Sequence, residues 1–135
     1  MTVKTEKSIE WDHSSNEKFV EYYADESESE STLQRFTSVF ETLIRMRELN
    51  GASPENLRML DVGCGAGTQA FIWAKAGHIV HALDVNEPLV ELGRQRAQQH
   101  NYEIDFQLGS ASELPWPDNS MDICIALELL EHIDD

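Results

Sequence analysis

The stretch Leu60-Asp61-Val62-Gly63-Cys64-Gly65-Ala66-Gly67-Thr68 puts glycine at three alternate positions directly behind a short apolar run. Such a turn gives the backbone conformations that a Cβ disfavours, and it lets a ligand come close to the main chain. The flanking segments fix the fold that it can serve. Strands are predicted over 58–62, 79–83, 104–108 and 121–127, and helices over 68–76, closed by Gly77, and 89–100, opened by Pro88 with Asn86 or Glu87 near its start. A further helix is expected to begin within 128–135. Strands alternating with helices of about ten residues predict a parallel α/β sheet with right-handed crossovers.

Residues 1–30 are polar and end in Asp25-Glu26-Ser27-Glu28-Ser29-Glu30, a charge run that reads as a solvated linker. Phe19, Tyr22 and Tyr23 stand before it at helical spacing and predict a short helix. Ser31 or Thr32 is then expected to cap an amphipathic helix that carries Leu33, Phe36, Phe40, Leu43, Ile44 and Arg47 on one stripe and stops at Asn50-Gly51. The chain divides into a polar segment, 1–30, and a domain, 31–135, whose core motifs occupy 57–135.

Charge excludes some partners. With 25 acidic against 10 basic residues, the formal net charge is -15, which opposes binding to nucleic acid and to anionic membrane surfaces. The start MTVKTEKSIEWDHSS lacks the apolar core of a signal peptide, and no run of apolar residues is long enough to span a membrane. A cytoplasmic location is the expectation. Cys64 and Cys124 have no CxxC partner and read as reduced thiols.

The loop's details narrow its ligand. The nicotinamide dinucleotide fingerprint is GxGxxG or GxGxxA, whereas Gly63, Gly65 and Gly67 make GxGxG and Thr68 stands where a third small residue belongs. Asp61, just before the loop, would face a pyrophosphate unfavourably but would attract an ammonium or sulfonium group. S-adenosylmethionine carries both. Asp84, at the end of the second strand, is placed to accept from both ribose hydroxyls of an adenosine lying across the sheet edge. Its plain alternative is an N-cap for the following helix.

Three ordered motifs, 60–68, Leu83-Asp84-Val85-Asn86, and the run from Gly109-Ser110-Ala111-Ser112-Glu113-Leu114-Pro115-Trp116 to Asp122, resemble the class I S-adenosylmethionine-dependent methyltransferases of the ubiquinone-biosynthesis-like, methyltransferase-11-like kind. The resemblance covers roughly 57–135. It implies a Rossmann-like, three-layer α/β/α fold with a parallel sheet ordered 3-2-1-4-5-7-6, of which this sequence reaches strand four. It also implies that Asp61 and the loop residues Gly63, Cys64, Gly65 and Gly67 face the methionine part of S-adenosyl-L-methionine or its product S-adenosyl-L-homocysteine. Asp84 with Val85 would hold the ribose, Ser110 with Ala111 would flank the adenine, and Leu127 would complete the cofactor site. Family members usually carry an acidic residue where Ser110 stands, so the adenine amino group would lose a charge-assisted bond here.

Glu128, Glu131 and His132 fall at i, i+3 and i+4, on one face of a helix. Their pattern is similar to that of ubiquinone-biosynthesis O-methyltransferases and of metal-dependent methyltransferases acting on small RNA ends. His132, with Glu131, is the candidate general base on a substrate hydroxyl. The alternatives are a divalent metal, whose remaining histidine ligand would lie beyond Asp135, and a structural helix end. No metal ligand set is assigned.

The expected function is methyl transfer to a small-molecule acceptor, at a hydroxyl oxygen, without nucleic acid. The rival reading is an S-adenosylmethionine-binding remnant or partner subunit without catalysis. A fold stopping after strand four leaves that strand as an apolar edge, which predicts a truncated chain, or a homodimer pairing through it.

Overall fold

The computed structural model describes residues 17–127. Helices α1 (Glu17–Ser27) and α2 (Glu30–Leu49) precede an alternating series: β1 (Arg58–Val62), α3 (Thr68–Lys75), β2 (Ile79–Asp84), α4 (Glu87–Gln99), β3 (Ile104–Leu108) and β4 (Ile123–Ile125). The four strands form one parallel sheet in the order β3-β2-β1-β4. This is the Rossmann-like arrangement that the alternation predicts.

Alternation along the strands sorts side chains between two faces. Met59, Val80, Ala82, Phe106 and Ile125 join Ala70 and Trp73 of α3 and Val90 and Ala97 of α4 in the main core, against which Phe40, Leu43 and Ile44 of α2 also pack. Leu60, Val62 and Leu83 face the other way, covered by Ala111, Trp116 and Met121 of the loop that joins β3 to β4. Among the described residues, then, helices cover one face of the sheet and a loop covers the other.

That loop is tied down by Asp105. Gln107 Nε2, His81 Nδ1 and Trp116 Nε1 lie within 2.6, 3.0 and 3.1 Å of its carboxylate. Burial works to raise this carboxyl's pKa, but the three partners together hold it below the ordinary aspartate value.

The structure departs from the sequence reading at several points. The acidic run at 25–30 is not a solvated linker: α1 continues through Ser27, which is buried, and α2 begins only three residues later. The α2 cap is Ser29, not Ser31 or Thr32, because Ser29 has an extended backbone and its hydroxyl accepts from the Thr32 amide at 3.3 Å. Leu33 stays 42% exposed although it shares the stripe of Phe40 and Ile44. Finally, β4 pairs over Ile123–Ile125 rather than 121–127, since Met121 turns away to pack on the Leu60 cluster.

Trp73 anchors the helical face. It is fully buried, its ring meets Phe40 edge-on at 4.9 Å, and it lies 5.2 Å from the His78 ring. Removing a buried aromatic of this size leaves a cavity between α2 and the sheet. Trp73→Ala should therefore lower the unfolding free energy by about 3–5 kcal/mol, measured by urea titration.

Candidate cofactor site

The site is assembled where β1 and β2 end. Gly63, Gly65 and Gly67 have φ of 76°, 55° and 89°, so three alternate residues adopt the left-handed region that favours glycine. Cys64 and Ala66 between them are buried. The amides of Gly63 and Cys64 both donate to the Leu83 carbonyl, at 2.8 and 3.0 Å, which locks the turn onto the end of β2. Gly67 is the N-cap of α3 and offers no side-chain cap to its first turn, whose residues Thr68, Gln69 and Ala70 are buried.

Asp84 gathers the pieces. One carboxylate oxygen accepts from the Gly65 amide at 2.8 Å and the other from the Asn86 amide at 2.8 Å. Asn86 in turn caps α4 by accepting from the Leu89 amide. The Asp84 carbonyl receives the Gly109 amide at 2.9 Å, linking β2 to the loop after β3. The capping role that the sequence left open for Asp84 thus belongs to its neighbour Asn86, two residues along.

Asp61 lies beside this arrangement, 4% exposed at the carboxyl end of β1, in register with Ala82 of β2 and Ile125 of β4. Burial first, and the negative charge of Asp84 second, push its pKa up to about 8. The same burial, with the charges of Asp61 and Asp84, pushes the Cys64 thiol up as well. It therefore stays protonated and is no nucleophile.

Val62, Gly63, Leu83, Asp84, Val85, Gly109 and Ala111 surround a small cavity of about 40 Å³. Ser110 is exposed at its side, its hydroxyl 2.8 Å from that of Ser112 and accepting from the Ser112 amide. Leu127 packs against the main core, the cluster that contains Cys64 and Ile125. A larger cavity, about 660 Å³, lies between α2, α3 and α4, lined by Leu33, Phe40, Phe71 and Tyr102 and reached by neither Asp61 nor Asp84. Glu128, Glu131 and His132 lie outside the described residues. Among the described residues no three His, Cys, Asp or Glu side chains cluster as metal ligands.

These features fit a nucleoside carrying a positive charge. A carboxylate has about four acceptor positions, so the two backbone donors on Asp84 leave one on each oxygen for a vicinal diol. At Gly67 the space a Cβ would need is taken by the Phe106 ring, so this glycine serves close packing, and Asp61 supplies a carboxyl at the strand end for a cation. One contact was not legible from sequence: the Tyr23 ring of α1 rests on Gly65, so closely that a Cβ there would meet its hydroxyl oxygen at 2.2 Å. The sequence signalled only that Tyr23 is helical with Phe19, whose ring is 6.1 Å away.

The family described as "Methyltransferase domain" matches residues 60–135, more than half of the chain. The chain belongs to this family. The cofactor of the family's fold is S-adenosyl-L-methionine, and the expected class I identity holds. The ubiquinone biosynthesis O-methyltransferase of Coxiella burnetii is 36% identical over 77 residues, which are 57% of this chain and 33% of that protein. The 27-O-demethylrifamycin SV methyltransferase of Amycolatopsis mediterranei is 35% identical over 118 residues, 84% of this chain and 41% of that one. In structure, the magnesium protoporphyrin IX methyltransferase of Synechocystis with bound S-adenosylhomocysteine superposes with a TM-score of 0.71 at 23% identity, over 92% of this chain and 59% of that one. This methyltransferase domain therefore spans only about a third to two-fifths of the length of these curated relatives.

The raised Asp61 has a stability consequence. Unfolded, it titrates near 3.8; folded, near 8. Between those values folding takes up a proton, so stability falls as pH climbs from about 4 to about 8 and levels off above. Asn mimics the neutral acid, so Asp61→Asn should raise Tm by several degrees at about pH 9 and by much less at about pH 5. Equal Tm changes at both values would mean that Asp61 is ionised throughout.

Proposed function

We propose that the chain is the cofactor-binding part of an S-adenosylmethionine-dependent O-methyltransferase acting on a hydroxyl group of a small molecule. The observation that carries this reading is the Asp84 carboxylate, held by the amides of Gly65 and Asn86 with an acceptor position left on each oxygen. The curated relatives named above are O-methyltransferases by name, which supports oxygen as the acceptor atom.

Once bound, the cofactor supplies a methyl group on a sulfonium leaving group, so the protein's task is positioning and exclusion of water. Asp84, with Val85 beside it, holds the ribose diol. Asp61 and the turn Gly63-Cys64-Gly65 with Gly67 receive the methionine part. A cation beside Asp61 favours its ionised form, so binding near neutral pH draws a proton off this carboxyl. Ala111 and Ser110 flank the adenine, and Leu127 adds an apolar wall. Ser110 gives the adenine amino group an uncharged acceptor, already engaged by Ser112. His132, with Glu131, is the candidate general base for the acceptor hydroxyl.

No described helix is long and apolar enough to cross a membrane, and the net charge of -15 opposes polyanions. Both support a cytoplasmic enzyme whose partner is a small molecule rather than nucleic acid. Strand β4 stands at the sheet edge with Cys124 exposed, which supports either pairing with a second copy or continuation of the sheet.

Calorimetry with S-adenosylhomocysteine tests the reading. The native chain should bind it, and Asp84→Ala should weaken binding about a hundredfold, the worth of two hydrogen bonds to a charged acceptor. Binding without methyl transfer to any of a panel of phenols and other hydroxyl acceptors would favour the non-catalytic subunit. A folded native chain that binds neither S-adenosylhomocysteine nor S-adenosylmethionine would overturn the proposal.

A further inference from the structure

We infer that Arg96 is a positioning residue for the cofactor site, acting through the N-terminal helix; the inference rests on the cofactor reading above.

The C-terminus of α1 leaves four carbonyls without partners inside the helix. Two are met locally: the Glu28 amide donates to Asp25 and the Ser29 amide to Glu26. The Ala24 carbonyl accepts from the Ser27 hydroxyl at 2.8 Å, and both it and the Ser27 carbonyl accept from distant elements as well. Arg96 of α4 donates from Nη2 to the Ala24 carbonyl at 3.1 Å, and Thr68, the first residue of α3, donates its hydroxyl to the Ser27 carbonyl at 2.9 Å. Arg96 also donates from Nη1 to the Ser27 hydroxyl and places Nε 3.2 Å from a Glu28 carboxylate oxygen. Its guanidinium thus spends all three nitrogens on one helix end.

That end needs a cation from elsewhere. The last turn of α1 holds Asp25 and Glu26 and no basic residue, so its own charges oppose the helix dipole. The helix has little else to hold it, for Ser27 is its only buried described residue. An element with so little apolar burial opens at low cost unless polar contacts fix it.

Tyr23 precedes Ala24 in the chain, and its ring rests on Gly65. Gly65 is the residue whose amide reaches Asp84. A continuous path therefore runs from Arg96 through the Ala24 carbonyl and Tyr23 to Gly65 and the ribose acceptor. Glycine loses more conformational freedom on ordering than any other residue, so backing Gly65 with a ring removes a cost that cofactor binding would otherwise bear. Arginine suits the task because its planar fork serves three acceptors at once, which a lysine ammonium on a flexible stem does less well.

The test compares native protein, Arg96→Ala, Arg96→Lys, Tyr23→Ala and the Arg96→Ala/Tyr23→Ala double variant, by calorimetry with S-adenosylhomocysteine and by hydrogen exchange at the Gly65 amide. Loss of Arg96 should weaken binding about tenfold, with lysine restoring part of the loss. Tyr23→Ala should weaken binding similarly, and the double variant should be no worse than either single one, because both lie on one path. Exchange at Gly65 should quicken in each variant without ligand. Should Arg96→Ala fail to fold, Arg96→Lys with Tyr23→Ala carries the same cycle. Additive losses, or unchanged binding and exchange on losing Arg96, would overturn the inference. If in that case Asp84→Ala weakens binding about a hundredfold as expected, the cofactor reading stands without it; absence of binding by the native chain overturns both.

Discussion

A carboxylate at the end of β2 accepts backbone hydrogen bonds from two sides, and the arrangement of the strand ends follows from it. Asp84 pins Gly65 on one oxygen and Asn86 on the other, so the turn after β1 and the start of α4 are fixed relative to one another. Its carbonyl fixes the start of the next loop through Gly109. No apolar contact could do this, because dispersion and burial do not specify direction, whereas two amides on one carboxylate do. The left-handed glycines are the complement of that constraint: only a chain free to adopt φ near 55° at residue 65 can turn its amide toward β2.

The same carboxylate sets the electrostatics. Asp61 is buried beside it, and burial first, with the charge of Asp84 second, pushes the Asp61 pKa up to about 8. A neutral Asp61 spares the folded state one buried charge, and that economy ends when a cation arrives. The pocket's chemistry and its cost in stability are two readings of one pair of acids. Cys64, pressed between them, is left as an inert filler.

Strands β1 and β3, the glycine turn and Asp84 were legible in the sequence because each depends on neighbours in the chain: period-two apolar runs, turn glycines, an acid at a strand end. What was not legible depends on partners far away in sequence. The acidic run Asp25–Glu30 has the composition of a solvated linker, and nothing in it announces that Arg96, about 70 positions later, will cap the helix it closes. Tyr23 has the spacing of an ordinary helical aromatic, and its seat on Gly65 exists only once α1 is folded back over the loop. Strand four was read too long for a related reason: Met121 is apolar enough for a strand, yet the second face of the sheet, at Leu60 and Leu83, competes for it.

That second sheet face is held differently from the first. Asp84 accepts from the amides of Gly65, Asn86 and Gly109, and the helix that backs Gly65 precedes β1. The cofactor end of the sheet is therefore held by contacts local to the first three strands and the helices on one face. On the opposite face a loop, fastened by Trp116 and His81 to Asp105, does the covering. Strand β4, with three paired residues, lies at the edge of the described sheet beside β1. The two faces of the sheet are thus held by different means, packed helices on one side and a loop anchored through a carboxylate on the other.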